Sequence, residues 1–161
     1  MYKRQVFFLV DDLGWSDVGC YGSSFYETPH IDRLAKEGVR FTSGYAACHV
    51  CSPTRASILT GKYPATMNLT EWLNGRSDRP YQLLLNPDKA MALDPKENTL
   101  AEVLKKEGYA TALFGKWHLG KGTSPTEHGF DLHVPHSVNS NLGRRGFYLS
   151  LIHISEPTRQ P

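Results

Sequence analysis

The chain has 161 residues, of which 40% are hydrophobic and 21% charged, and a formal net charge of +2. This is the composition of an ordinary soluble α/β protein, and three cysteines, Cys20, Cys48 and Cys51, do not make a disulfide framework. Setting aside Lys3, Arg4, Arg159 and Glu156 in the terminal stretches, the 18 basic and 16 acidic residues become 15 of each, so no excess of charge favours nucleic acid or an anionic membrane.

Those terminal stretches read as cloning scar. Leu149–Arg159 is one reading frame of a transposase adapter used in short-read libraries, and Met1–Gln5 is the reverse complement of its first part. Residues 1–5 and 149–161 are therefore set aside, leaving residues 6–148 as a fragment open at both ends. The apolar run Val6–Val10 is too short for a signal peptide or a membrane span.

Val6-Phe7-Phe8-Leu9-Val10 is a continuous β-prone run, the pattern of a strand buried on both faces. It ends in Asp11-Asp12. Ligands gather at the carboxyl ends of strands in open α/β sheets, and paired hard oxygens suit Ca²⁺ or Mg²⁺. A solvated turn or a helix cap accounts for the pair equally well. Next, Thr28-Pro29 opens a helix that Gly38 ends, with Ile31, Leu34 and Ala35 as its apolar stripe and His30 on the surface. Val39–Thr42 reads as a short strand.

Cys51-Ser52-Pro53-Thr54-Arg55 begins a second helix, with Ser52 as N-cap, Pro53 in the first turn and Gly61 as the stop. Cys51 lies at the head, where backbone N–H groups and the macrodipole favour an anion. Arg55, four residues on, shares its face. The pattern is a candidate nucleophile inside an oxyanion site; the alternative is a buried cysteine beside an arginine paired to a carboxylate. Cys48-His49-Val50-Cys51 also has the spacing of a redox pair or half a zinc site, but no second Cys/His cluster accompanies it.

Residues 65–96 hold Pro80, Pro87 and Pro95 and little helical patterning, and read as a long surface excursion covered locally by Trp72 and Leu83–Leu85. Thr99 and Glu102 form a capping-box pattern opening a third helix, with Leu100, Val103 and Leu104 inward and Gly108 at its end. Tyr109–Phe114 follows as a strand. If the chain stays extended through Gly115–Gly120, Lys116 and His118 share one face and Trp117 takes the other. A Lys-x-His pair alone would equally suit a solvated strand end.

Together these segments resemble the type I sulfatases. The resemblance rests on the strand running into Asp11-Asp12-Leu13-Gly14-Trp15 and Gly19-Cys20-Tyr21-Gly22, on Cys51-x-Pro53-x-Arg55 extended through Leu59-Thr60-Gly61, and on Gly108–Gly120 with its Gly-Lys-Trp-His-Leu-Gly ending. It implies the N-terminal part of an alkaline-phosphatase-like α/β domain, a mostly parallel sheet flanked by helices. It implies further that Cys51 is oxidised to formylglycine, whose hydrate attacks the sulfate ester, that Asp11, Asp12 and the Cys51 position hold Ca²⁺ or Mg²⁺, and that Arg55, Lys116 and His118 complete the catalytic set. In that role Lys116 holds the sulfate and the aldehyde hydrate, and His118 assists breakdown of the sulfated intermediate. Cys20 becomes a small structural residue. His128–Asp131 falls near the pocket mouth, with His133, His136, Asn139, Arg144 and Arg145 as candidate substrate contacts.

The implied partners are a sulfated small molecule or glycan and a formylglycine-generating or anaerobic maturation enzyme, with no nucleic acid and no membrane. The implied location is periplasmic, secreted or lysosomal. Family members run several hundred residues further and take other metal ligands and catalytic residues from there, so this chain alone is expected to be inactive and poorly soluble. Two other readings stay in view: a phosphonate or phosphate monoester hydrolase sharing the formylglycine signature, and a non-catalytic metal-binding or Cys-x-x-Cys redox module.

Overall fold

A computed structural model describes residues 4–134 of the chain. The carboxyl-terminal stretch set aside above, and the candidate contacts His136, Asn139, Arg144 and Arg145, lie outside the described residues. The chain divides into two compact units, with the boundary after Tyr45.

The first unit contains one helix, α1 (Pro29–Glu37), preceded by a single 3₁₀ turn at Gly19–Tyr21. Pro29 takes the first helical turn and Gly38 follows the last residue, as the sequence indicates. Thr28 does not cap with its side chain. Its Oγ1 accepts from the Gly19 N–H (2.8 Å) and donates to Asp32 Oδ1 (3.0 Å), and Asp32 Oδ1 also accepts from the Cys20 N–H (2.7 Å). These bonds fasten the Gly-Cys-Tyr-Gly turn to the head of α1.

Two expectations fail in this unit. Val6–Val10 and Val39–Thr42 are not strands, and Phe7 and Phe8 stand 72% and 80% exposed. A strand buried on both faces needs ladder partners on its edges and layers above and below it; among the described residues nothing pairs with either run. For the same reason Ile31 and Leu34 of the α1 stripe are exposed.

The second unit holds α2 (Cys51–Thr60), a 3₁₀ turn (Pro64–Met67), α3 (Leu100–Lys106), β1 (Ala112–Phe114) and β2 (Leu132–Val134). The two strands are parallel, with Ala112 opposite Leu132 and Phe114 opposite Val134. The described unit is thus a small α/β piece, a parallel pair accompanied by helices. Thr111 and Asp131, just ahead of the strands, set that register: the Thr111 N–H donates to Asp131 Oδ2 (2.9 Å) and the Asp131 N–H to the Thr111 carbonyl (2.9 Å).

α3 carries the full capping box. Thr99 Oγ1 accepts from the Glu102 N–H, and Glu102 Oε2 accepts from the Thr99 N–H (2.7 Å). At its other end the N–H groups of Gly108 and Tyr109 bond back to Lys105 and Leu104, the Schellman pattern that a residue at φ 78° permits. The inward residues are Ala101 and Leu104; Leu100 and Val103 are largely exposed, contrary to the sequence reading. The α3 entrance also packs on Gly129, where an added Cβ would lie 2.5 Å from Glu102 backbone, so only glycine fits.

The core of this unit is Ala56, Leu69, Leu73, Leu93, Trp117 and Leu119. Three of these come from the excursion that the sequence left blank. Leu83–Leu85, read there as local cover, are 80–100% exposed instead. Leucine spacing alone does not tell which short apolar groups find a partner surface.

Candidate active site

α2 is organised by what its first turn buries. Val50, extended at φ −127° and ψ 159°, is the N-cap and offers no side-chain bond, so Cys51 is the first helical residue and is half-buried. Ser52 is not the cap, as the sequence suggested. Its side chain is wholly buried, and Oγ accepts from the Leu73 N–H at 3.0 Å. Ser52 already lies inside the first helical turn, one residue past Cys51, so the cap position is Val50's. Pro53 sits in the first turn, where a missing N–H costs nothing, and Thr54 Oγ1 donates to the Cys48 carbonyl (2.7 Å), holding the Cys-x-x-Cys segment against the helix. All three cysteines are free thiols, each half-buried.

Arg55 is 9% exposed, and its Nη1 donates to the Lys116 carbonyl at 2.6 Å. This bond joins residues 61 apart in sequence and fastens the signature helix to the segment after β1. In that segment Trp117 is the anchor: it is 3% exposed, meets Phe130 edge-on and lies tilted against His128. Lys116 and His118, its neighbours in sequence, are half-buried. The backbone, however, is not extended throughout. His118 adopts φ 57°, a left-handed conformation that costs a non-glycine residue energy, and its Nε2 meets the Leu73 carbonyl.

Two hydrogen-bonded links thus run within the second unit, Arg55 to the Lys116 carbonyl and Ser52 through Leu73 to His118. Asp11 and Asp12 belong to the first unit, where Asp11 is half-buried and Asp12 exposed with φ 57°. Two adjacent carboxylates are the hard donors that Ca²⁺ or Mg²⁺ takes, although two residues fall short of the six or more oxygens Ca²⁺ requires. Among the described residues no group of three or more His, Cys, Asp or Glu is gathered to hold a metal ion. His133, a candidate substrate contact, is buried on β2 with Nε2 facing the Gly115 carbonyl (3.2 Å), so it braces the strand pair. Sequence reasoning passed over Leu73 and gave Ser52 another task. The sequence carried no local signal for either, since the two bond to each other across 21 residues.

The sulfatase family model matches residues 4–143. The chain belongs to the sulfatase family. It is 45% identical over 131 residues to mouse steryl-sulfatase, covering 76% of this chain and 20% of that protein. Human arylsulfatase A is 40% identical over 138 residues, covering 82% of this chain and 25% of the relative. A solved structure from work on the metabolism of multiple glycosaminoglycans by Bacteroides thetaiotaomicron superposes with a TM-score of 0.63 at 38% identity, over 76% of this chain and 26% of that one. The chain thus spans about a quarter or less of the length of these sulfatases, and its fold is the corresponding part of theirs.

Proposed function

We propose that these residues form part of the active site of a sulfate ester hydrolase, with Cys51 as the precursor of its nucleophile. The observation that carries this reading is the Arg55–Lys116 link, which brings two separately encoded signatures onto one structure. Formylglycine made from Cys51 would supply an aldehyde hydrate, one hydroxyl to attack sulfur and a second to release sulfate, which a thiol cannot do. Asp11 and Asp12, with the Cys51 position, would hold Ca²⁺ or Mg²⁺, whose charge would neutralise the sulfate oxygens.

The protein's own groups divide the remaining work. The head of α2 presents its N–H groups to the anion, and Arg55 adds a permanent cation beneath it. Lys116 supplies a second cation for the transferring group and the hydrate, and His118 handles the proton during breakdown of the sulfated intermediate. The substrate would be a sulfated small molecule or glycan, and a formylglycine-generating or anaerobic maturation enzyme would act first. We propose further that the 161-residue chain alone does not turn over, since it spans only about a quarter or less of the length of the sulfatases it matches.

The test is a metal-dependent assay of a full-length enzyme carrying these residues, with aryl sulfate, aryl phosphate and aryl phosphonate in parallel. Preference for the sulfate, abolished by Arg55→Ala or Lys116→Ala, supports the reading. Preference for the phosphonate or phosphate would make it a related ester hydrolase, and sulfatase turnover by the isolated chain would refute the proposed inactivity.

A further inference from the structure

Leu73 lies in the stretch to which no site role has been given, yet it is held on three sides. Its N–H donates to buried Ser52 Oγ at 3.0 Å, its carbonyl meets His118 Nε2, and its side chain is 4% exposed within the core. The peptide is braced from its own segment as well. The Ala90 N–H donates to the Asn68 carbonyl (2.7 Å), and Lys89, with only 8% of its side chain exposed, pairs with Glu71. The backbone of one residue therefore touches both the residue after Cys51, through its N–H, and the imidazole of His118, through its carbonyl.

The chemistry of that contact is one-sided. A carbonyl oxygen only accepts, so Nε2 carries the proton that points at Leu73. In the neutral ring the lone pair then sits on Nδ1. The left-handed backbone of His118 is what turns the ring toward Leu73 rather than along the strand direction.

We propose that the Leu73 backbone is a positioning element of the active site. Through Ser52 it sets the head of α2 that carries Cys51, and through its carbonyl it holds His118 as the Nε2–H tautomer, so that the ring serves as a base through Nδ1. The role as base rests on the sulfate ester hydrolase reading; the tautomer and the clamp do not.

The experiment uses the chain labelled with ¹⁵N at histidine. An imidazole N–H exchanges with water too fast to be seen unless a hydrogen bond holds it. The expected spectrum has a persistent Nε2–H signal that vanishes in His118→Gln. That signal exchanges roughly tenfold faster or disappears in Ser52→Ala, the scale of one lost buried hydrogen bond, and is retained in Ser52→Thr, which keeps the hydroxyl. Absence of the signal in the unsubstituted chain, a persistent Nδ1–H instead, or indifference to Ser52→Ala overturns the proposal. Should Ser52→Ala not fold, the unsubstituted and Ser52→Thr spectra still decide. In a full-length enzyme Ser52→Ala is expected to lower kcat by up to about a hundredfold with KM little changed, and Ser52→Thr to restore it. The spectra need neither formylglycine nor substrate, so they succeed or fail independently of the sulfatase reading.

Discussion

The two units carry candidate site residues of equal clarity in sequence and very different support in structure. In the second, the head of α2 and the segment after β1 are joined directly by the Arg55–Lys116 hydrogen bond, which spans 61 residues, and indirectly through Leu73, which bonds both Ser52 and His118, over a shared apolar core. In the first, Asp11 and Asp12 follow a run of exposed apolar side chains, and Val18 is the buried hydrophobic residue among those described. A chemical motif is encoded locally, but its rigidity comes from whatever layers cover the element that presents it.

Substitutions should separate the units sharply. Trp117→Ala and Leu73→Ala remove buried core side chains and are expected to cost about 2–5 kcal/mol in urea unfolding, whereas Phe7→Ala and Phe8→Ala should stay within about 0.5 kcal/mol. Equal losses would dissolve the contrast. Arg55→Met leaves the Lys116 carbonyl without its charged donor, a loss of about 1–3 kcal/mol by the same measurement. Thr99→Ala breaks the capping box of α3, about 1 kcal/mol for the cap, and also removes the donor to the His128 carbonyl (2.6 Å).

Acid should sharpen the contrast further. Burial behind Trp117 holds the His128 imidazole below its ordinary value of 6.5, against the pull of Glu102, Glu127 and Asp94. The unfolded chain then binds more protons than the folded one, so stability is complete above pH 6.5 and declines as pH falls below it. His128→Phe should flatten that slope in unfolding midpoints taken across the range. The smallest effect belongs to Asp131, whose carboxyl is held below 3.8 by its bond to Lys105 and by Thr111. Its contribution is present above that value and is lost as pH falls through the lower folded value; Lys105→Ala should weaken this acid limb, leaving the part that Thr111 supplies.

What the sequence made legible was what short-range chemistry decides. Thr99 and Glu102, Pro29, and Gly61 at φ 70° act as their spacing indicates, because caps and stops depend on neighbours a few residues away. The shared face expected of Lys116 and His118 depends on an extended backbone, which His118 leaves at φ 57°. Ser52, Leu73 and the turned backbone at His118 were not legible, since each is fixed by a partner at least 21 residues away. The strand at Val6–Val10 has the right residues, but nothing in the described chain lies beside it to complete a ladder. Leu69 and Leu83 sit in the same excursion with opposite burial, decided by packing against α2 and Trp117 rather than by local pattern.

The central claim is that Cys51 is a precursor at the head of α2, completed by the groups that Arg55 ties to it. Peptide mass spectrometry of residue 51, after co-expression of the chain with a formylglycine-generating enzyme, tests it most directly. The account predicts a peptide that has lost its sulfur and gained an aldehyde reactive toward hydrazide. A peptide that keeps an intact thiol, or one found disulfide-linked to Cys48, would contradict it.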